Sequence, residues 1–408
     1  MLKPSFSAQA APAHVAEDPL SHTRHWNRSV VQEVAPSGVL DLGPGYLEPG
    51  LMPGELLRRS YVSALDEYGA AALGYGSNRG ALPFRAAIAA RTAAADGAPC
   101  DPDHVLVTAG TSQALHLLAT TLAAPGDTVL IDTASYDLGT RILTDCGLRP
   151  RTVADDADGM DPGELEHAIT AVRGGGSRIA FLYLNPTYHN PTGRVVPLAR
   201  RRELLAVTAR HGVLVVEDDA YTGLGLGPEA APPSLAALAG HRDVVRLGTF
   251  SKTLAPGLRL GWLVAEPAFV ERIAAHALFV SGGSLNHLAS LAVTRALVDG
   301  GYDQHLGELR TGLTARRDAL VGALRAGLDD RIEFATPPGG LFLWLRSRDG
   351  HSEAGLLTAA EQAGVSVAAG SRFGTAAQPT VRLAYSFNPP ETLERAARLL
   401  TRAWRAPS

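Results

Sequence analysis

Between residues 100 and 250 the chain alternates short runs that are apolar on both faces with longer stretches of helical period. Residues 104–108, 128–131, 178–184, 213–216 and 244–247 read as strands, with helices expected over 113–123 and 198–211. A strand without a polar face must be covered on both sides, so these runs predict a mostly parallel sheet with helices on each face. After about residue 285 the texture changes. A long helical stretch over 288–328 is broken near Gly300 and Gly301, and short β-like runs follow at 331–336, 340–346 and 380–386. Helices are expected at 353–362 and 391–404. The fold class is therefore α/β: a large domain with a mostly parallel sheet, plus a smaller α+β domain built from the C-terminal part and an N-terminal segment. The expected boundaries are a flexible arm at 1–25, a segment joining the small domain at 26–60, the large domain at 61–287 and the small domain at 288–408.

Composition narrows this picture in a few places. A chain of 408 residues with 46% hydrophobic and 19% charged residues is an ordinary globular protein, too long for one small core. A net charge of −4 gives no electrostatic footprint for nucleic acid. Cys100 and Cys146 are the only cysteines and have no paired spacing, so no disulfide framework and no metal site is expected, and a reducing compartment fits. Neither a signal peptide nor an apolar run of about 18 to 20 residues is present, which points to a soluble, cytoplasmic protein away from membranes.

The chemistry begins with lysine. Of 37 Lys and Arg residues only Lys3 and Lys252 are lysines. Arg serves wherever a point charge suffices, but guanidinium stays protonated and cannot supply a free amine. Lys252 lies in Gly248-Thr249-Phe250-Ser251-Lys252, with Arg259 seven residues on. Hydroxyls, glycines and an Arg beside a reactive amine suit a lysine that forms an imine with a carbonyl cofactor. Glu217-Asp218-Asp219-Ala220-Tyr221 places acids where a strand runs out, the usual position of ligand groups in an open α/β sheet. Consecutive acids also cap helices; the tyrosine three residues after Asp218 shifts the reading toward a cofactor with a basic ring nitrogen and a phenolate oxygen. Two Asn-Pro turns at Asn185-Pro186 and Asn190-Pro191 bracket Tyr188 and His189, suggesting a pocket wall. The turn Gly110-Thr111-Ser112, between a strand and a helix start, is a natural phosphate seat, although many such turns are only connections.

Together these segments resemble the class I/II aminotransferases, pyridoxal-phosphate (PLP) enzymes of the aspartate-aminotransferase fold. The resemblance runs from about Gly43 to Asn388 and rests on Asn-Pro-Thr-Gly at 190–193, Asp-x-Ala-Tyr at 218–221, Ser-Lys at 251–252 with Arg259, and Arg382 in a late strand. It implies that Lys252 forms the Schiff base and shuttles the Cα proton, that Asp218 pairs with the pyridine nitrogen, and that Asn190 and Tyr221 bind the ring's phenolate oxygen. Tyr136 would stack on the ring. Gly110, Thr111, Ser112, Thr249, Ser251 and Arg259 would hold the phosphate. Tyr75 would reach a phosphate across a homodimer interface, so that the active sites are shared. Arg382 would grip the substrate α-carboxylate, and Gly45 would let the N-terminal segment close over the substrate. The implied reaction moves an amino group between an L-α-amino acid and a 2-oxo acid through a pyridoxamine form of the cofactor, with biosynthesis as the expected setting.

The segment Gly43-Pro44-Gly45-Tyr46-Leu47-Glu48-Pro49 departs from the family's usual pattern because Tyr46-Leu47 intervenes. His189 adds a base-capable group, although a hydrogen-bonded wall residue explains it more simply. These departures keep open a PLP enzyme that does not transaminate: a β-eliminating lyase, an oxidase or a decarboxylase. Ser281-Gly282-Gly283-Ser284-Leu285-Asn286 is a stretch that a partner chain would contribute to the pocket. A regulator joining such a domain to a DNA-binding one would need a basic helix-turn-helix ahead of it; the roughly 40 residues before Gly43 are short for that and not basic.

Overall fold

A computed structural model describes residues 38–328, 330–348, 351–374 and 379–405. The expected arm at 1–25 lies outside them. Seven strands form one sheet in the order Val105–Thr108, Gly261–Val264, Val244–Thr249, Val215–Asp218, Ile179–Leu184, Thr128–Asp132 and Arg149–Val153. All run parallel except Gly261–Val264, which is antiparallel to both neighbours.

The two-faced apolar runs build this sheet as their pattern requires. Val129, Ile131, Phe181, Tyr183, Val216, Val245 and Leu247 pack on one face, under helices Thr111–Leu122, Asp137–Asp145 and Pro267–Ala274. Leu130, Leu182, Leu184, Val215 and Val244 pack on the other, under Pro162–Gly174 and Leu198–Arg210. The strand expected at 213–216 is displaced to Val215–Asp218, so the acids lie inside the strand and not beyond it. Glu217 is shielded from solvent there: its carboxyl oxygens accept the backbone N–H groups of Leu235 and Ala236 at 3.0 and 3.1 Å, which gives a buried polar group its partners. Two strands lacked a readable signal. Arg149–Val153 is largely exposed and contains a proline, both marks of an edge strand. Gly261–Val264 is a four-residue run that sequence periodicity does not separate from a turn.

The second sheet has the order Ile332–Glu333, Phe342–Ser347, Thr380–Ala384, Ala368–Ala369, antiparallel throughout. The expected strand at 331–336 shrinks to two residues, because Pro337 and Pro338 follow closely and cannot donate to a ladder. The expected break near Gly300 separates helices His287–Val298 and Gly301–Gly327, with Gly300 at φ 77°. The N-terminal strand Leu40–Asp41 pairs with Val365–Ser366, and the backbone N–H of Ala384 donates to Leu42 O at 2.6 Å. Helix Gly54–Tyr68 follows and packs beside His287–Val298. Residues 40–48 are thereby fastened to the smaller sheet, within reach of the larger sheet's rim.

Candidate active site

Because five of the parallel strands end on one rim, the segments after Thr108, Asp132, Leu184, Asp218 and Thr249 converge there, the carboxyl-end location where open α/β sheets bind ligands. The antiparallel strand begins at the same rim, which brings in Arg259 just before Gly261. The sequence-predicted residues from 110 to 259 meet here, and Gly45 and Arg382 reach it from the other sheet.

Lys252 is the sole lysine among the described residues, and it stands half-buried at the centre. Its Nζ donates to Gly45 O at 2.7 Å and lies 5.9 Å from the Tyr221 ring centroid. Burial, then the nearby Arg382, bring its pKa down to about 8, against the opposing pull of Asp218. Only a neutral amine adds to an aldehyde. In ligand-free protein, the rate at which Lys252 captures added PLP should therefore rise about tenfold per pH unit below pH 8 and level off above it. Stopped-flow absorbance between pH 6 and 9.5 checks this; a rate still climbing steeply at pH 9.5 would mean an ordinary lysine.

Asp218 ends its strand with a buried carboxylate. Its Oδ2 accepts from Tyr183 Oη at 2.8 Å, while Oδ1 has no partner. Burial raises its pKa to about 6, and the Tyr183 hydrogen bond opposes that rise. Asn185 ties two loops together: its Nδ2 donates to Asp218 O, and its Oδ1 accepts from the backbone N–H of Asn190 at 2.8 Å. Asn190 in turn bridges two other groups, with Nδ2 3.5 Å from Tyr221 Oη and Oδ1 2.8 Å from Arg382 Nη1. Burial raises the pKa values of the Tyr136 and Tyr221 phenols, keeping both neutral.

Arg382 sits in a β-like apolar run, as the sequence indicated, and no carboxylate among the described residues pairs with it. Its guanidinium is sandwiched between the rings of Phe342 and Phe373, at 4.1 and 4.5 Å from their centroids. Nη2 donates to Gly43 O at 2.7 Å, and burial lowers the pKa to about 10. Gly45 is required by close approach: a Cβ there would fall 2.7 Å from the Phe342 ring.

The phosphate-type donors gather at the start of helix Thr111–Leu122. Gly110, at φ 87°, leads into it, and a Cβ on Gly110 would lie 3.0 Å from Arg259 Nη2. Thr111 and Ser112 form the first turn. Thr249 Oγ1 lies 2.9 Å from Ser251 Oγ and accepts the Ser251 N–H at 3.1 Å. Arg259 has a left-handed backbone, φ 45°, and Asn286 Nδ2, itself at φ 61°, donates to its carbonyl. Asn286 thus helps fix the Arg259 backbone within its own chain.

Tyr75 is not brought to this chain's own site; it is 89% exposed and rests against Gly282. His189 is a buried wall residue: Nδ1 pairs with Thr192 Oγ1 at 2.8 Å, and Nε2 lies 3.7 Å from Asp132 Oδ2. Burial pushes its pKa down to about 3, so it is neutral. Tyr183 is not signalled by the sequence at all, whereas Asn185 and Asn286 stand there only as parts of a turn and a loop, with no hydrogen-bonding role attached. The tyrosine could have been found only by pairing it with Asp218 on the same face of adjacent strands.

An acid oxygen without a partner, an amine biased toward its neutral form, and a helix start beside an Arg and two hydroxyls make a donor set that fits PLP. The chain belongs to the class I and II aminotransferase family, whose profile matches residues 59–400. That family is PLP-dependent. Among relatives, the chain is 32% identical over 373 residues to a 2-aminoadipate transaminase of Thermus thermophilus, covering 90% of each chain. It is 28% identical over 376 residues to aromatic-amino-acid aminotransferase 1 of Thermococcus litoralis, covering 91% of this chain and 89% of that one. The crystal structure of LysN, the α-aminoadipate aminotransferase of Thermus thermophilus, complexed with N-(5'-phosphopyridoxyl)-L-leucine, matches with a TM-score of 0.79 at 32% identity, over 90% of this chain and 92% of that one.

Proposed function

We propose that this PLP-dependent aminotransferase moves the amino group of an L-α-amino acid to a 2-oxo acid, with both substrates using the pocket between Lys252 and Arg382. The observation that carries this is the pairing of a half-buried, proton-shedding amine with a buried guanidinium that lacks a carboxylate partner among the described residues. PLP, when bound, supplies an electron sink for the bond broken at the substrate Cα. Asp218 would hold its ring nitrogen through Oδ1, and Asn190 with Tyr221 its ring oxygen. Tyr136 would stack on the ring, and Gly110, Thr111, Ser112, Thr249, Ser251 and Arg259 would hold its phosphate. Lys252 Nζ takes the proton from Cα and holds it for return. Arg382 binds the α-carboxylate and Gly45 lets the N-terminal segment close the pocket.

The assembly in this reading is a homodimer in which Tyr75 completes the partner's phosphate site. Support comes from the exposed apolar residues Leu73, two residues before it, and Leu278 and Val280 in the short helix Ala277–Val280, which precedes the Gly282 it touches. Among the described residues, we assign 288–405 and 38–60 to the small domain and 61–287 to the large domain; the earlier part of the expected segment, 26–37, lies outside the described residues. The described residues include no helix long and apolar enough to cross a membrane. As part of the same proposal, the enzyme is cytoplasmic and serves biosynthesis.

The test is a titration of PLP-loaded protein with single amino acids and no acceptor, including an aromatic amino acid and 2-aminoadipate, named for the two relatives. Transamination gives a stable loss of the yellow absorbance with one equivalent of 2-oxo acid and no ammonia. Ammonia release or oxygen uptake with the yellow colour restored would establish a lyase or oxidase instead.

A further inference from the structure

Tyr183 has no part in the roles above, yet among the described residues it is the side chain that hydrogen-bonds the Asp218 carboxylate. It sits on the central strand Ile179–Leu184, opposite Val216 in the parallel ladder, so it shares a sheet face with Val216 and Asp218. It is 1% exposed, and its Oη donates to Asp218 Oδ2 at 2.8 Å. That bond fixes the carboxylate's rotation and leaves Oδ1 as the oxygen with no partner. Helix Asp137–Asp145 presses on the same phenol. At Gly139 a Cβ would fall 2.7 Å from Tyr183 Oη and 2.9 Å from Cδ1 of Tyr136. One missing side chain therefore gives room to two tyrosines, one holding Asp218 and the other expected to stack on the cofactor ring.

We propose that Tyr183 is a positioning residue that sets the orientation and the charge of Asp218, and that Gly139 is the spacer that allows it to do so. The inference rests on the reading that Asp218 receives the pyridine nitrogen of PLP. A phenol O–H donated to a carboxylate stabilises the ionised form, the form needed to pair with a protonated ring nitrogen. Several other groups face this carboxylate. Asp219, beside it on its own strand's exit, works against ionisation, and Lys252, after strand Val244–Thr249, favours it. The phenols of Tyr136 and Tyr221 lie near and are neutral. Tyr183 is the only one of these in hydrogen-bond contact with the carboxylate.

Tyr183→Phe removes the hydroxyl and keeps the buried ring. PLP affinity, read by visible absorbance and by borohydride attachment to Lys252, is expected to fall on the order of tenfold at pH 7.5. The acid limb of PLP binding, where Asp218 takes up a proton, is expected to move up by about one pH unit. A merely structural role would lower stability without moving that limb. Gly139→Ala keeps the hydroxyl but crowds it, and should move the limb in the same direction; it also reads the contact should Tyr183→Phe not fold. Native protein that binds PLP, with an acid limb unmoved in the variants, overturns the positioning role alone. Native protein that takes up no PLP overturns the cofactor reading and this proposal with it.

Discussion

Lys252→Ala lowers amino-group transfer by at least about 10⁴-fold while leaving the fold intact. The size follows from what the residue is the only one to supply. Lys252 is one of two lysines in 408 residues, and the other, Lys3, is far from the motif in sequence. The remaining groups at the site are poorly suited to take a proton from carbon at neutral pH. The phenols of Tyr136 and Tyr221 have raised pKa values, Arg382 remains a cation, and His189 is a neutral ring packed between Thr192 and Asp132. Asp218 carries the charge to which the ring nitrogen would bind. Stability should change little or rise, because an amine whose pKa burial depresses to about 8 is itself a desolvation cost below that pH. The measurement is a single-turnover assay beside borohydride reduction, which should attach the cofactor to native protein and not to the variant. Transfer within tenfold of native would remove Lys252 from the mechanism.

What made Lys252 legible was scarcity. In an arginine-rich chain a lone lysine is informative because only it can lose its proton. Arg382 was legible for a related reason: a guanidinium within Val381-Arg382-Leu383 has to be buried, so it needs an anion from somewhere. Asp218 and Asn190 could be placed because strand ends and Asn-Pro turns are local signals, and a parallel sheet sends all its carboxyl ends to one rim.

The groups that position these residues were not legible, since their meaning lies in contacts between distant segments. Tyr183 reads as a strand aromatic until it is seen opposite Val216, two residues before Asp218. Gly139 reads as a poor helix former until the space it leaves is measured against two phenols. Asn286 reads as part of a glycine-rich loop until its amide is found on the carbonyl of Arg259. Strand ends shifted by one or two residues for the same reason. The acids at 217 and 218 look like turn residues, but Leu235, Ala236 and Tyr183 supply the partners that let them stay in the sheet.

Arg382→Leu should separate function from stability. The substrate α-carboxylate would lose a bidentate, charge-assisted partner, a loss of about 3 kcal/mol or roughly 10²- to 10³-fold in kcat/KM. Most of that loss should fall on KM, because the carboxylate is held as firmly before the reaction as during it. The ligand-free protein should lose little. It currently buries a guanidinium between Phe342 and Phe373 with only neutral acceptors, Asn190 Oδ1 and Gly43 O, and burial depresses its pKa to about 10. Replacing an unpaired buried charge by an aliphatic side chain relieves that cost, offset by two acceptors left without donors. The net change in unfolding free energy should stay within about 1 kcal/mol. Arg382→Lys should not restore activity, since an ammonium cannot reproduce the planar fork. Steady-state kinetics and urea unfolding on the same preparations decide the matter. Equal loss in kcat with KM unchanged would move Arg382 out of carboxylate binding, whereas a large drop in stability would make it a structural arginine.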